Sequence, residues 1–508
     1  MTVTETDLSP DGEFSPGMSP TDSAVVQSDR AELISAVTTI VSEHLPVFTD
    51  LSDAIWDHPQ LRWEEFDAVE RQIAIAEQHG FRVNRKLGGI PTAFSAEFGH
   101  DGPVVAVLGE YDALAGLSQA SGSTSPTPDP ENTTGNGHGC AHHLLGAGSL
   151  LAAVSVAKYL QARGLQGRVR YYGCPAEEAG SGKAYLVKAG AFEDVDAAVT
   201  WHPVPNTSTR QWLSLANINP VFHFRGVAAH AGGAPHMGRS ALDAVELLNV
   251  GVNFLREHML DTSRIHYAIT DAGGESPNVV QSQASVYYLV RAKTVREMRE
   301  LYERVLKVAR GAALMTETEL TVEIQGATAE LLPNEVLERA IHSITEHVGP
   351  VPFDDADEAI AKQFLSQYPE SEVAAVRQRY GIPRDDYATL HGTVPALTPS
   401  VPRHQETGST DVGDVSWVTP TVQIFSASMA MATQAHSWQW VAQGKLPAAH
   451  KGMAHAAKVM ASTVVELLTD ATLLSRAKEE FREVTERMPF SSPIPDGVVA
   501  PPLRGSND

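Results

Sequence analysis

Residues 217–324 carry the pattern that most constrains the fold. Apolar residues there run in the order strand (221–224), helix (241–259), strand (265–270), strand (284–290), helix (295–315), strand (320–324), the order of a split βαββαβ unit. That unit is self-contained, yet elements of another arrangement flank it on both sides. Helical spacing runs through Leu33, Val37, Ile40 and Val41 and again through Val69, Ile73 and Ala76, followed by short apolar strands at 104–108 and 169–172. A further strand (421–426) and an amphipathic helix (453–468) come after the unit. Alternating helix and strand signal an α/β layer fold, so the chain is expected to be α/β, a mixed-sheet domain interrupted by a ferredoxin-like insertion. The expected boundaries are a disordered tail (1–28), the first half of the main domain (29–215), the insert (216–328), the second half (329–488) and a C-terminal tail (489–508).

Charge and cysteine content limit what such a fold can do. The formal charge of −24 over 508 residues repels phosphate, which argues against nucleic acid or an anionic membrane as partner. An anionic substrate would need locally placed cations. Cys140 and Cys174 are the only cysteines, and they fall in a loop and a strand rather than in a disulfide framework, which fits a reducing cytoplasm. The first 28 residues are rich in Ser, Thr, Pro and Asp and show no export signal. No stretch reaches the roughly 18 unbroken apolar residues of a membrane span, the closest being an Ala/Gly-rich run at 144–160. The segment 350–402 is polar and Pro-bearing with little period.

The chemistry-bearing residues sit where strands end. The run 137–143 packs Cys140 and the imidazoles of His138, His142 and His143 behind a Ser/Thr/Pro/Asn loop (121–137) and ahead of a helical stretch. Thiolate and imidazole favour zinc-like metals, although a polar-capped helix start would read similarly, and not all four side chains can be ligands. Glu177 and Glu178 follow the strand 168–173; neighbouring residues there face different ways, so one can hold a metal while the other handles a proton. His202 ends a strand at 197–200, and His436 lies in a loop after the strand 421–426, with His450 and His455 as competing imidazoles. The roles of His138, His143 and His236 stay open on this reading.

Seven motifs in order resemble one family: Gly109-Glu110-Tyr111-Asp112-Ala113-Leu114, the run 137–142, the run 175–180, Trp201-His202-Pro203, Ala229-His230-Ala231 with Pro235-His236, Pro277-Asn278-Val279-Val280, and Ala435-His436-Ser437-Trp438. They resemble the di-metal aminoacylase and carboxypeptidase superfamily, in particular its amidohydrolase branch of auxin-conjugate and aminobenzoyl-glutamate hydrolases, over about residues 30–470. The resemblance implies a metallopeptidase-type catalytic domain with an inserted lid and dimerisation domain, in a homodimer. It implies two divalent metal ions per subunit (manganese or zinc, with cobalt a third choice), held by Cys140 as the bridging ligand with His142, Glu178, His202 and His436. It gives Glu177 the part of general base, His230 that of a carbonyl-stabilising group reaching the partner subunit's active site, and Asn278 and Arg291 positions that contact a substrate carboxylate or support the lid. Two positions depart from the family: Ala141 stands where Gly is usual, and His143 where Asp or Asn is common.

The expected reaction is hydrolysis of an N-acyl amino acid amide, first among them an aromatic acyl group of the p-aminobenzoyl-glutamate type. A dipeptide or a small N-acyl amino acid is the enzymatic alternative. A non-catalytic, metal-dependent binding protein is the alternative of another class, and a zinc oxidoreductase is disfavoured because no Gly-x-Gly-x-x-Gly run follows a strand.

Overall fold

A computed structural model describes residues 20–383, 385–397 and 403–500, with side chains from residue 30 onward. Eleven strands are present among them: β1 (Arg82–Arg85), β2 (Phe94–Phe98), β3 (Val104–Glu110), β4 (Arg168–Cys174), β5 (Ala197–Val204), β6 (Ser208–Thr209), β7 (Ala216–Arg225), β8 (Arg264–Asp271), β9 (Gln283–Ala292), β10 (Glu319–Thr328) and β11 (Thr421–Ala427). They form a seven-stranded sheet in the order β1-β2-β4-β3-β5-β11-β6 and a four-stranded sheet in the order β10-β7-β9-β8.

The large sheet is mixed because its centre is parallel (β4, β3, β5, β11) while β2 and β6 run against it. All seven residues of β3 are buried, as a parallel strand covered on both faces requires. Side chains alternate between the faces: Val105 and Val107 join a core built with the helices Pro20–Asp57, His142–Arg163 and Pro447–Thr469. Val104, Ala106 and Leu108 join the opposite core, which runs on into the inserted domain. The helix His142–Arg163 is long and apolar enough by length and composition to cross a membrane, although the sequence suggested no such segment, and 94% of its apolar window is buried by surrounding protein. Its small residues permit close approach; a Cβ on Gly146 would meet the Glu110 carbonyl oxygen at 2.5 Å. That contact seats the start of this helix against the end of β3.

The inserted domain is an antiparallel sheet backed by the helices Ala241–Leu255 and Val295–Thr316, whose N-termini are capped by the Ser240 and Thr294 side chains. The predicted βαββαβ order is therefore the observed one. It docks on the catalytic half through β10 and β7: a Cβ on Gly326 would collide with Ser181 and the Gly180 carbonyl, and Asn219 Nδ2 donates to the Ala179 carbonyl at 3.2 Å.

Two expectations need revision. Most of the expected N-terminal tail lies outside the described residues, and its last part belongs to the helix that begins at Pro20. The segment 350–402, read as irregular, contains the helices Asp355–Leu365 and Glu370–Arg379, the first opened by a capping box between Asp354 and Asp357. The stretch after Pro489 is coil, as expected, and its described part packs on the protein: Ile494 is buried, Phe490 stacks on Trp417 and Arg299 donates to Ser491 Oγ at 2.9 Å.

Candidate metal centre

The parallel strands β3, β4, β5 and β11 end on the same edge of the sheet, where open α/β sheets place their ligands. Asp112 follows β3, Glu177 and Glu178 follow β4, His202 lies near the end of β5 and His436 follows β11, while Cys140 and His142 come from the turn that opens the helix His142–Arg163. The chain reaches this geometry through residues in the left-handed region: Ala141, Ala176, Ala179, Ser181 and His436 all have φ near +60°. Five of the nine such non-glycine residues among those described thus surround one site, a concentration of backbone strain that marks functional centres. Ala141 has φ 57°, which accounts for glycine being usual there and costs this chain about 1 kcal/mol.

Donor atoms converge in sets. Cys140, His142 and His202 place one donor each within 4.8 Å of one another, and Cys140, Glu178 and His436 do the same, so the thiol is common to both sets. Cys140 Sγ lies 3.4 Å from His202 Nε2, and His436 Nε2 lies 3.2 Å from Glu178 Oε1. Asp112 ties the sets together: its Oδ1 accepts from His142 Nδ1 at 2.8 Å and its Oδ2 accepts from the Glu178 backbone N–H at 2.8 Å. The His142 proton is thereby fixed on Nδ1, leaving Nε2 as the donor atom. Glu65 accepts from the Ala176 N–H at 2.8 Å and holds the turn that presents Glu177. Burial, reinforced by Asp112, pushes the Glu65 carboxyl up to about 8, so at neutral pH it is largely protonated.

Two observations test whether metal fits. His142 Nε2 and Glu178 Oε1 are buried without a hydrogen-bond partner, although each lies in a converging set. The acidic groups Glu110, Asp112, Cys140, Glu177, Glu178 and Asp411 crowd around Lys183 and Arg291 and around the imidazoles of His142, His202 and His436, whose hold on protons their neighbours strengthen; divalent ions would take the place of those protons. Burial alone would raise the Cys140 thiol, but His202 and His142 hold it well below its ordinary value, which makes it a thiolate suited to ligation. Burial and then the neighbouring carboxylates Glu110, Asp411 and Glu178 hold Glu177 well above the usual carboxylate range. The residues present fit a pair of divalent ions.

The other imidazoles separate cleanly. His138 Nε2 approaches the Ile55 carbonyl at 3.1 Å and His143 Nε2 the Gly444 carbonyl at 3.0 Å, so both brace backbone and face away from the donor sets. His450 pairs with Asp53 at 2.9 Å. His455 is buried between Ser426 Oγ and the Gly349 carbonyl, both at 3.0 Å. Burial pushes the His455 imidazole down to about 4, so the folded state favours its neutral form. The stability this lends is complete above the unfolded value of about 6.5 and is lost as pH falls from there through about 4, a change of roughly 3 kcal/mol. Denaturant titrations of wild type and His455→Gln should therefore differ most near pH 7 and converge near pH 4; a constant difference would contradict this.

On the inserted domain, Arg291 reaches the catalytic half by donating to the Thr407 carbonyl at 2.9 Å, its Nε is buried without a partner, and it feels the Glu177 charge. His230 and Asn278 lie side by side, with the Ala231 N–H donating to the Asn278 carbonyl at 2.9 Å. His230 and Asn278 are both exposed, and among the described residues no hydrogen bond or ion pair joins either to the candidate ligand sets. His230 Nδ1 accepts from the N–H groups of Gly232 and Gly233 at 3.1 and 3.0 Å, so Nε2 carries the proton and is left free to donate. His236 is exposed on the same loop. Sequence reading missed the parts of Asp112, Lys183 and Asp411; only Asp112 left a signal, as a carboxylate just beyond a buried strand.

Comparison with known proteins gives the chain's family. Residues 217–317 match the peptidase dimerisation domain. Over 474 residues, covering 90% of this chain and 96% of the relative, the sequence is 45% identical to one of the subunits of p-aminobenzoyl-glutamate hydrolase of Escherichia coli (strain K12). The chain belongs to the M20 peptidase family. That makes it an amide-bond hydrolase by descent. Among other M20-like relatives, Xaa-Arg dipeptidase of Mus musculus is 28% identical over 85% of this chain and 88% of its own. A Bacillus subtilis dinuclear metal-binding peptidase of the M20 family shares the fold at a TM-score of 0.50 and 17% identity, covering 85% of this chain and 99% of that one.

Proposed function

We propose that this M20 chain hydrolyses the amide bond of an N-acyl amino acid of the p-aminobenzoyl-glutamate type, using two divalent metal ions. The observation that carries the reading is the division of five donor residues into two sets that share Cys140. Cys140, His142 and His202 would hold one ion, and Cys140, Glu178 and His436 the other. Bound there, such ions would supply Lewis-acid polarisation of the amide carbonyl and would acidify a bound water.

The chain's own groups do the rest. Glu177 Oε2 stands 4.0 Å from His142 Nε2, at the edge of the metal cluster, where it takes a proton from the attacking water and returns it to the leaving nitrogen. Arg291, with an unsatisfied Nε, offers a fork to the substrate carboxylate, with Asn278 as a second polar contact. His230 offers a free N–H from the inserted domain, which suits stabilisation of the developing oxyanion in the partner subunit's site. A homodimer is supported by the dimerisation domain and by exposed apolar residues on that domain: Leu247, Val250 and Phe254 on one helix, Tyr267 and Ile269 on the edge strand β8. The Escherichia coli relative is itself a subunit, so an association with a related second chain is the other arrangement to test. A free thiol at Cys140 fits a reducing cytoplasm.

A second substrate reading, a dipeptide with a C-terminal basic residue, is favoured by the dipeptidase relative that spans most of the chain. Elemental analysis with a cleavage panel separates the two. About two metals per chain are expected, with release of p-aminobenzoate from p-aminobenzoyl-glutamate that chelation abolishes and manganese, zinc or cobalt restores. Metal-dependent cleavage of Xaa-Arg dipeptides alone would favour the second reading, and a chain that takes up no metal would sink both.

A further inference from the structure

Glu110 belongs to the Gly109–Leu114 motif and has no part in the five-ligand arrangement, yet it ends β3 inside the cluster. It is 2% exposed. Its Oε1 accepts from Lys183 Nζ at 2.6 Å, and Lys183 also donates to Asp411 Oδ1 at 2.7 Å. Asp411 Oδ2 accepts the Lys183 backbone N–H at 2.8 Å, so the lysine is gripped at both ends. The side chains of Lys183 and Asp411 are fully buried. A lysine clamped in this way leaves Glu110 little freedom to rotate, and the second carboxylate oxygen, Oε2, is aimed at His142 Nε2, 3.2 Å away.

That approach is not a hydrogen bond. His142 donates its proton from Nδ1 to Asp112, and Nε2 makes no hydrogen bond. With the Asp112 hydrogen bond holding the Nδ1 proton, a metal ion or a second proton must lie between Nε2 and Glu110 Oε2 at this distance. The spacing suits a shared ion: ligand atoms about 2.0–2.2 Å from one ion lie about 2.8–3.6 Å from each other along an edge of the coordination shell. The His436 and Glu178 donors show the same 3.2 Å edge. Glu110, His142 and Glu177 moreover bring their donor atoms within 4.8 Å of one another.

We infer that Glu110 is a direct ligand of the ion held by His142 and His202, a sixth protein ligand kept in place by Lys183 and Asp411. The inference rests on the dinuclear reading above. It also sets apart the two ions: one would be bound by Cys140, two imidazoles and a carboxylate, the other by Cys140, one imidazole and a carboxylate. The less saturated second site would then leave room for a substrate carbonyl, and an ion in the first would supply water activation beside Glu177.

The test compares wild type with Glu110→Gln and Glu110→Asp by chelator-competition titration of zinc and by the visible absorption of the cobalt-loaded proteins. Outer groups that only orient a ligand change metal affinity about 10–100-fold, so loss of a direct ligand should weaken one of the two ions by more than about 100-fold and leave the other near its wild-type affinity. The cobalt bands should intensify as the coordination number of that ion falls. Glu110→Asp keeps the charge and a partner for Lys183 but withdraws the oxygen by one methylene, and it should show the same selective loss if Glu110→Gln fails to fold. Two ions bound with wild-type affinity and an unchanged cobalt spectrum in both variants would overturn the assignment. Absence of metal from wild type would instead bring down the dinuclear reading on which it stands.

Discussion

Cys140→Ala should lose both metal ions together, and with them all measurable hydrolysis. The Cys140 sulfur is the one donor that both ligand sets contain, so its removal takes a ligand from each ion at once and also removes the negative charge that lets two cations sit side by side. His202→Ala, by contrast, touches one set only and should leave close to one ion per chain. Since groups merely orienting a ligand are worth about 10–100-fold in affinity, a shared ligand should cost at least about 100-fold at each ion. The fold should survive, because the core beneath the site is apolar and continuous without the thiol. Cys140→Asp restores an anionic bridge and should recover part of the metal content. Elemental analysis after dialysis, with circular dichroism as the control for folding, decides the matter: a full metal complement in Cys140→Ala would show that the two sets do not share their ligand.

How far the sequence discloses this site depends on the kind of interaction. The insertion was legible because its strand and helix periods are strong and complete in themselves, and the catalytic half because β3 and β11 are unbroken buried runs of the sort only a doubly covered parallel sheet uses. Cys140, His142 and Glu178 stood out because thiol, imidazole and carboxylate cluster at strand ends, whereas His202 and His436 were set apart from the other histidines only by the family resemblance. The same density misleads at His138 and His143, where the left-handed turn at Ala141 sends the two flanking imidazoles away to brace the Ile55 and Gly444 carbonyls. The Lys183–Asp411 pair is separated by 228 residues, and nothing local to either residue announces the other. The helix Glu370–Arg379 was missed for a different reason: Val373 and Val376 are its only buried residues, too few to establish a helical period.

Glu177→Gln should retain two metal ions and a nearly unchanged KM while kcat falls by about 10²–10⁴-fold. The amide keeps the size and polarity of the carboxylate but cannot take a proton, and Glu177 is not needed in either set that contains Cys140. Activity near wild type with both ions bound would remove Glu177 from the mechanism, whereas loss of metal would recast it as a ligand beside Glu110 and His142. The same variant tests the reach of His230 between subunits. His230→Ala should be nearly inactive alone, but chains carrying Glu177→Gln and chains carrying His230→Ala, unfolded and refolded together, should regain activity. In the mixed dimer one active site combines an intact Glu177 with an intact His230 from the other chain, so random assortment should restore about a quarter of wild-type turnover. If His230 served the site of its own chain, each site in the mixture would carry one defect and no activity would return. Recovery therefore requires both the general base and the imidazole to act, and to act from different chains.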